Sequence, residues 1–462
     1  MNNKPNLLFI MCDQQRLDCL GYSGIRPVKT PNIDSIAKDG TWFRNAYTPI
    51  PVCAPARQAL FSGRRPETYG ALWNFDIVFP VGQIPEGSYS WTKQIHDSGY
   101  STAFLGKWNV SNTRKPAEFG FDEAVSDSDI MSRISKKYPS QDYPNGFFGD
   151  PSPVALEDSH THQLAGEASS LIRTYSTADK PWYVHVDFQE PHLPCRPSAP
   201  FCDMYSPADI PEWGGFRDGF INKPYIHKQQ IINWELEDKP WSEWARTVAL
   251  YYGMISQMDD AIGRILKTLR ESGQEDNTIV VFTCDHGDLC GSHNMIDKHY
   301  VMFEDLTHIP LIIKYPQKLG SKDYEGYVHN CIDLPPTLLE LMSLTPPEEA
   351  KLQGENLVPV LTGEDGALAR DYAVSTYNGQ QFGLYCTRAI KNGRYKYVWN
   401  LTDIDELYDL DSDPYELDNR IYDKSLTGEL ESLRRKLYDE LARCDDKIVG
   451  WTSKQLLDGK KI

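Results

Sequence analysis

The sequence has little that would direct the chain to a membrane or to nucleic acid. No stretch reaches the ~18 apolar residues that a spanning helix needs. The apolar run 7–11 is too short for the core of a signal peptide. Basic residues are outnumbered, 47 Lys and Arg against 65 Asp and Glu, so the net charge is −18. Without a spanning segment or a signal peptide, we expect a cytoplasmic protein. Because an acidic surface repels nucleic acid and anionic membranes, we expect neither as a partner.

The sequence also lacks the cysteine spacing of a zinc site or a disulfide framework. Its ten cysteines include no CxxC pair, since 195 and 202 are too far apart, as are 284 and 290. We therefore expect reduced, mostly buried thiols. The acidic balance does not exclude a local cationic pocket, which an enzyme for anionic esters would have to build against the overall field.

What is present is enough apolar sequence for more than one core. The chain has 462 residues, of which 40% are hydrophobic, and a chain of this size usually divides into a large and a smaller domain. Strand-like runs alternate with helix-like runs, a pattern that favours a mostly parallel sheet covered by helices. The strand-like runs are 7–11, 102–105, 182–186, 279–283 and 311–313, and the helix-like runs are 158–175, 241–271 and 334–342.

The character of the chain changes near residue 365. Short alternating runs follow over 372–398, with turn signals at Asn378-Gly379 and Asn392-Gly393, and an amphipathic helix is predicted over 430–442. We predict an α/β domain over 1–365 and a small α+β domain over 366–462. Two proline-rich segments, 139–153 and 193–224, are predicted loops, and long loops often carry function.

Chemically useful residues follow two of the predicted strands. Asp13 and Gln14 follow the first strand, and Asp285 and His286 follow the strand at 279–283. In an open parallel sheet, ligands bind beyond the carboxyl ends of the strands. Carboxylate and amide oxygens suit Ca²⁺ or Mg²⁺, and the imidazole leaves Mn²⁺ or Zn²⁺ open. Taken singly, each aspartate is better explained as a cap for a turn or helix.

Cys53 has the most informative surroundings of any residue. It lies in the run PVCAPAR, 51–57, a Cys-x-Pro-x-Arg arrangement. Such a cysteine can be oxidised to formylglycine, whose aldehyde hydrate is a nucleophile toward sulfur and phosphorus esters. Pro55 predicts a helix that starts here, so Cys53 lies near its positive end and Arg57 shares its face. The simpler alternative is a buried thiol and a surface arginine.

Together, these and further motifs resemble the formylglycine-dependent (type I) sulfatases of the alkaline-phosphatase superfamily. The matching runs are collinear and span nearly the whole chain. Segments 30–47, 53–57 and 62–64 are similar to the family's N-terminal signature. The lysine, histidine, second metal and C-terminal motifs are matched by 99–108, 190–194, 285–298 and 406–416. The resemblance implies an alkaline-phosphatase-like fold, with a large mixed, mostly parallel sheet.

The resemblance also implies a role for each matching residue. A divalent cation, usually Ca²⁺, with Mg²⁺ or Mn²⁺ as alternatives, would be held by Asp13, Gln14, Cys53, Asp285 and His286. Modified Cys53 would bind the cation through one hydroxyl and attack through the other, after a formylglycine-generating enzyme has oxidised it. Arg57 would orient the hydrate, and Lys107 and Lys298 would bind the sulfate oxygens. His192 would donate a proton or hydrogen bond to the leaving group, and Asn109 and His293 would bind the substrate.

The sequence departs from the family pattern at three positions. Gln14 replaces a frequent acidic residue, which removes one negative charge from the cation site. Ala56 fits a looser version of the modification motif. Asn109 stands where the family usually has a histidine that is proposed to help break down the sulfated intermediate, and asparagine cannot act as a base. Candidates to replace that histidine are His185, His293 and His299.

The favoured function is therefore hydrolysis of a sulfate monoester, with a sulfated mono- or oligosaccharide as the expected substrate. A phosphonate monoester or phosphodiester hydrolase of the same superfamily is the alternative, which Gln14 favours and the two lysine motifs disfavour. A non-catalytic anion-binding relative is a third possibility. Loop aromatics could stack on a sugar, although packing explains each of them better; they are Trp73, Tyr143, Phe147, Phe148 and Trp213.

Overall fold

The computed structural model describes residues 4–75, 77–364, 370–381 and 383–459. Within these residues the chain forms an eight-stranded sheet followed by a separate four-stranded sheet. The predicted domain boundary at 365/366 lies outside the described residues and stays a prediction.

The eight-stranded sheet is mostly parallel and therefore agrees with the predicted fold class. Its strands are β1 (Asn6–Cys12), β2 (Thr41–Tyr47), β3 (Ser101–Gly106), β4 (Glu123–Ser126), β5 (Trp182–Asp187), β6 (Thr278–Cys284), β7 (Leu311–Lys314) and β8 (Lys322–His329). They lie in the order β4-β3-β5-β1-β6-β7-β2-β8. Only β7 is antiparallel to its neighbours in this sheet, β6 and β2, which makes the sheet mixed.

Helices cover both faces of this sheet. Residues 7–12 of β1 are all 0% exposed, as expected for a strand buried on two sides. The helices before the second sheet are α1 (Pro31–Asp39), α2 (Cys53–Ser62), α3 (Trp91–Asp97), α4 (Asp127–Lys137), α5 (His160–Ser176), α6 (Tyr225–Asn233), α7 (Trp241–Glu271), α8 (Glu304–Thr307), α9 (Asn330–Leu341) and α10 (Val358–Thr362). One group packs α1 and α5 on α7 and α4 on α5, and another packs α2, α3 and α9 together.

A smaller antiparallel sheet and two helices form the C-terminal part. Its strands are β9 (Tyr372–Gly379), β10 (Tyr385–Asn392), β11 (Tyr395–Asn400) and β12 (Glu406–Asp409), and its helices are α11 (Thr427–Arg443) and α12 (Ile448–Asp458). Leu433, Leu437 and Leu441 are spaced four residues apart on α11 and pack in one core with Val374 and Ile390 of the sheet. The predicted α+β character is confirmed, whereas α12 was not predicted.

One predicted turn is wrong. Asn378 and Gly379 are the last residues of β9 and pair with Cys386 and Tyr385 of β10, so the connection begins after them. The Asn378 side chain accepts a hydrogen bond from Arg388 at 3.1 Å, which holds the asparagine in the ladder instead of in a turn. The second predicted turn is confirmed, because β10 ends at Asn392 and β11 begins at Tyr395.

The two proline-rich segments contain only short helical turns and lie against each other. Ser152 of the first segment forms an isolated bridge with Ser198 of the second. The backbone N–H of Asp150 also donates to the Cys195 carbonyl at 3.1 Å. These loops line a cavity described below. None of the described helices combines the length and apolar content needed to cross a membrane.

Candidate active site

Strand register brings the predicted chemical residues to one edge of the large sheet. In the parallel pairs, Cys12 of β1 lies beside Cys284 of β6, and Met11 lies beside Asp187 of β5. The residues that follow β1 and β6, Asp13 and Asp285, therefore leave the sheet side by side, and both are 0% exposed. This is the edge at which open α/β sheets bind ligands.

Cys53 joins these aspartates at the first residue of α2, where a start of a helix was predicted. Its Sγ lies 3.2 Å from His286 Nε2 and 3.7 Å from Asp13 Oδ1. The same His286 nitrogen is 3.8 Å from Oδ1 of Asp13 and of Asp285. One ligand atom from each of these four buried residues lies within 4.8 Å of the others. The cluster can therefore surround a single metal ion.

The electrostatics of the cluster also favour a bound cation. Burial and the neighbouring Asp13 carboxylate raise the pKa of Asp285 to about 6. Burial opposes ionisation of Asp13 as well, yet Lys107 and other cations hold its pKa well below the ordinary value. For the Cys53 thiol, burial and Asp13 raise the pKa, but Lys107, Lys298 and His286 outweigh them and lower it. The pocket thus stabilises negative charge at the position of the nucleophile.

Arg57 neutralises the carboxylates that surround the cluster. Its guanidinium lies 3.0 Å from Asp13 Oδ2, 3.2 Å from Asp285 Oδ2, and in an ion pair with Asp187. Nη1 also donates to the Lys107 carbonyl at 3.0 Å. The structure therefore places the Arg57 side chain among carboxylates, where it orients the two aspartates from behind, leaving their Oδ1 atoms to face His286.

Two lysines and an imidazole complete the site. Lys107, directly after β3, places Nζ 2.6 Å from Asp13 Oδ2 and 3.9 Å from Cys53 Sγ. Lys298 places Nζ 2.7 Å from His192 Nε2 and 3.1 Å from Asp297. Both ammonium groups are thus held beside the cluster, where they can bind the oxygens of an anionic ester.

Gln14 is held on the Lys298 side of the site. Its Oε1 accepts a hydrogen bond from Lys298 at 2.7 Å, and its Nε2 donates to Asp288 and, at 3.0 Å, to Asp297. A carboxamide oxygen has two lone pairs, so this arrangement leaves one for a cation. Ligation by Gln14 stays a prediction, and its contact with Lys298 is what the structure adds.

The two predicted substrate-binding residues lie in different surroundings. Asn109 follows β3 in positive-φ backbone, φ 35°, and is half-buried. His293 is 1% exposed, stacks on Phe303 with ring centroids 3.7 Å apart, and bonds to Asp218 at 2.8 Å. The structure therefore brings His293 into a packed network with Asp218 and not into contact with the cation cluster.

The other two histidines that were candidates to replace a base at position 109 have partners of their own. His185 is buried between Phe9, with centroids 4.6 Å apart, and the Tyr183 hydroxyl, 2.8 Å away. His299 pairs with Asp297 at 2.9 Å, and Asp297 also contacts Lys298. His299 is therefore linked to the site through Asp297, and His185 is linked to it through Asp187, 3.5 Å from its Nε2.

The sequence analysis missed three residues of the site. Asp187 is the last residue of β5 and binds Arg57; the rule that selected Asp13 and Asp285, an aspartate at the end of a buried strand, would have found it. Asp297 binds Lys298 and Gln14. Asn74 accepts the backbone N–H of Ala54 at 3.0 Å and so holds the first turn of α2, but no sequence signal marks it.

Family models identify the class of this site. Residues 5–344 match the model described as Sulfatase, and residues 291–446 match the model of the N-sulphoglucosamine sulphohydrolase C-terminal region. The chain is 30% identical to the sulfatase YidJ of Escherichia coli K12, over 96% of this chain and 88% of that protein. It is 28% identical to the Delta 4,5-hexuronate-2-O-sulfatase of Bacteroides thetaiotaomicron, over 96% and 90% of the two chains.

Solved structures support the same fold. The phosphonate monoester hydrolase of Agrobacterium radiobacter superposes with a TM-score of 0.81 at 26% identity, covering 96% of each chain. The fold and the site thus define an alkaline-phosphatase-like hydrolase. Within that class the chain belongs to the sulfatase family and is a sulfuric ester hydrolase.

Proposed function

We propose that this chain hydrolyses the sulfate monoester of a sugar, with a formylglycine made from Cys53 as nucleophile and a divalent cation beside it. The observation that carries the proposal is the meeting of Cys53 with Asp13, Asp285 and His286 at one edge of the sheet, beside the buried Lys298 and the half-buried Lys107. A thiol alone needs no such surroundings. The maturation enzyme that oxidises Cys53 is part of the proposal.

The residues present fit a hard divalent cation. Asp13 and Asp285 supply carboxylate oxygens, Gln14 has a spare lone pair, and His286 Nε2 faces the same space. Oxygen donors of this kind suit Ca²⁺ or Mg²⁺. When bound, the cation would act as a Lewis acid toward an ester oxygen and stabilise negative charge on the hydrate of modified Cys53.

The side chains themselves have separable roles. Lys107 and Lys298 place positive charge where the nonbridging oxygens of the ester lie, and this charge is most effective when water is excluded. His192 Nδ1 donates to the Leu193 carbonyl at 2.7 Å, so Nε2 faces Lys298 and the leaving-group side. Because the Lys298 ammonium donates to Nε2, a proton that His192 delivers to the departing oxygen is one that Nε2 has first taken from Lys298.

The sugar substrate is supported by the hexuronate sulfatase among the relatives. The alternative of phosphonate monoester hydrolysis is supported by the Agrobacterium structure and by Gln14. Lys107 and Lys298 favour the sulfate ester. Rates with an aryl sulfate and the matching aryl phosphonate separate the two, because the proposal requires the higher kcat/KM for the sulfate.

The experiment that tests the nucleophile is mass spectrometry of the tryptic peptide 45–57, from protein made in the native host. Conversion of the thiol to an aldehyde lowers the mass by about 18 Da. We expect the modified peptide in active protein, and only the thiol form when the maturation enzyme is withheld. Cys53→Ser, which has a hydroxyl in place of the thiol, is the mass control. An unmodified thiol in protein that turns over sulfate esters would refute this mechanism.

A further inference from the structure

A cavity of about 180 Å³ opens on the leaving-group side of the site. This volume is smaller than the ~300–1,000 Å³ of pockets for drug-sized ligands, which suits a single sugar unit. Its walls come from the two proline-rich loops and from α4, α5 and α7. The polar wall includes Gln141, Tyr143, His160, Glu190, His192 and Arg196.

The cavity is directly joined to the catalytic groups. His192 lines it and contacts Lys298 through Nε2 at 2.7 Å. Glu190 also lines it, and its carbonyl accepts the backbone N–H of Asp13 at 3.2 Å. A substrate whose ester lies at Lys107 and Lys298 would therefore extend its alcohol portion into this cavity.

Arg196 is a charged residue of this cavity that forms no ion pair with a carboxylate among the described residues. Its guanidinium carbon lies 3.7 Å from the centre of the Tyr143 ring, which orients it by stacking. Its Nε is buried and has no hydrogen-bond partner. Among residues 4–75, 77–364, 370–381 and 383–459, no aspartate or glutamate forms an ion pair with Arg196.

The other charges around the cavity are already compensated. His160 lies between Asp127, 2.9 Å from Nε2, and Glu190, 3.2 Å from Nδ1. Lys298 is engaged by Asp297. The net charge of the chain is −18, yet among the described residues no carboxylate pairs with the Arg196 guanidinium at the wall of this cavity.

We propose that Arg196 binds a second anionic group on the sugar that carries the scissile ester, so that the substrate class is a sulfated acidic sugar. The inference rests on the proposed function. The planar guanidinium, which lies over the Tyr143 ring, has N–H donors that a carboxylate or a second sulfate can accept. Both sources share the chemistry of an oxyanion with two acceptor oxygens.

The test measures binding and does not require turnover. Calorimetric titrations of the cation-loaded protein use three probes, namely glucose, glucuronate and N-sulfoglucosamine. We expect glucuronate or N-sulfoglucosamine to bind at least about tenfold more tightly than glucose, a difference of about 1.4 kcal/mol. Preference for glucuronate identifies a carboxylate, and preference for N-sulfoglucosamine identifies a second sulfate.

Variants assign that preference to Arg196. Both anionic probes also offer charge to Lys107 and Lys298, so the decisive result is the change on Arg196→Gln. This variant should bind the anionic probes about tenfold more weakly than the wild-type protein does, with its affinity for glucose unchanged. Arg196→Lys keeps the charge and should retain part of the preference. It supplies the test if the glutamine variant folds poorly. Arg264→Gln is the matched control, because Arg264 pairs with Glu157 at the surface, 2.5 Å away, and should leave all three affinities unchanged.

Two results would overturn the inference. One is equal affinity of the wild-type protein for all three probes, and the other is a preference that Arg196→Gln does not reduce. Neither depends on whether Cys53 is oxidised. Failure of the proposed function would instead appear as absence of sulfate ester hydrolysis by protein whose Cys53 peptide is modified.

Discussion

Replacement of Asp187 by asparagine tests how the site balances its charge. The Arg57 guanidinium lies among the carboxylates of Asp13, Asp187 and Asp285, and all four residues are 0–1% exposed. Removing one partner of a buried ion pair typically costs about 3–5 kcal/mol. Since asparagine keeps the shape and a carbonyl acceptor, and two carboxylates remain, we expect a loss near the lower limit, about 3 kcal/mol.

The size of the protein sets the thermal shift that this loss produces. At ~2.1 cal/mol/K per residue, a chain of 462 residues has an unfolding entropy of about 1 kcal/mol/K. We therefore expect Asp187→Asn to lower Tm by about 3 °C in calorimetry of the cation-free protein.

The same substitution should weaken the binding of a cation. With Asp187 neutral, the charge of Arg57 is shared by only two carboxylates, Asp13 and Asp285, which are the groups that a cation needs. We expect Ca²⁺ affinity to fall about tenfold, or about 1.4 kcal/mol, in titrations of the isolated variant.

Asp218→Asn is the matched control. Asp218 is also buried and paired, with Lys223 and with His293, but it does not contact the cation cluster. This variant should lose comparable stability while its Ca²⁺ affinity stays unchanged. If Asp187→Asn bound Ca²⁺ as tightly as the wild-type protein, the argument that Arg57 competes for the aspartates would be refuted.

Three further predictions concern the other groups of the site. His192→Gln should lower kcat/KM by about 10²–10⁴ for sugar sulfates and far less for nitrophenyl sulfate, since nitrophenolate leaves without a proton. Lys107→Ala and Lys298→Ala should each lower kcat by about 10²–10³, as loss of one oxyanion donor does. Burial lowers the pKa of His160, yet Glu190 and Asp127 raise it to about 10, against ~6.5 when unfolded. The charged ring thus stabilises the fold fully below about pH 6.5, and this stabilisation is lost as the pH rises to about 10. Chemical unfolding of His160→Gln should show a flatter decline between pH 7 and 10.

Each of these predictions has a result that contradicts it. Equal losses of His192→Gln with both kinds of ester would remove the proton-donor role. Wild-type rates in either lysine variant would show that its ammonium does not contact the reacting ester. A pH profile of His160→Gln that parallels the wild-type profile would mean that the carboxylates do not hold the imidazole in its charged form.

Much of the fold was predictable because its strongest signals are local. The run 7–11 is apolar at every position, as a strand covered on both faces requires. β1 is such a strand. The helix at 241–271 has the same bounds as α7, since three- to four-residue apolar spacing extends over many turns. Strands β2 and β8 were missed because polar residues interrupt them, and their pairing with each other supplies the stability that their own sequences do not.

The residues of the site also divide into those that local sequence signals reveal and those whose contacts depend on tertiary packing. Asp13, Cys53, Asp285 and His286 could be selected from strand ends and a short motif, and the structure brings all four within 4.8 Å. His293 was selected for its place in a motif; it stacks on Phe303 and pairs with Asp218, and its role in substrate binding stays a prediction. A motif gives order along the chain, whereas contact depends on how loops pack.

The sequence by itself determined the family, the sheet and the residues able to hold a cation, because these depend on apolar runs and on residue types at strand ends. Only the tertiary structure showed that Arg57 is shared by three carboxylates, that Gln14 binds Lys298, and that Arg196 lines a cavity with no acidic partner among the residues that the structure describes. The contacts of Arg57 with Asp187 and Asp285, and of Gln14 with Lys298, join residues more than a hundred positions apart. They are decided by packing and charge compensation in three dimensions, which no local pattern encodes.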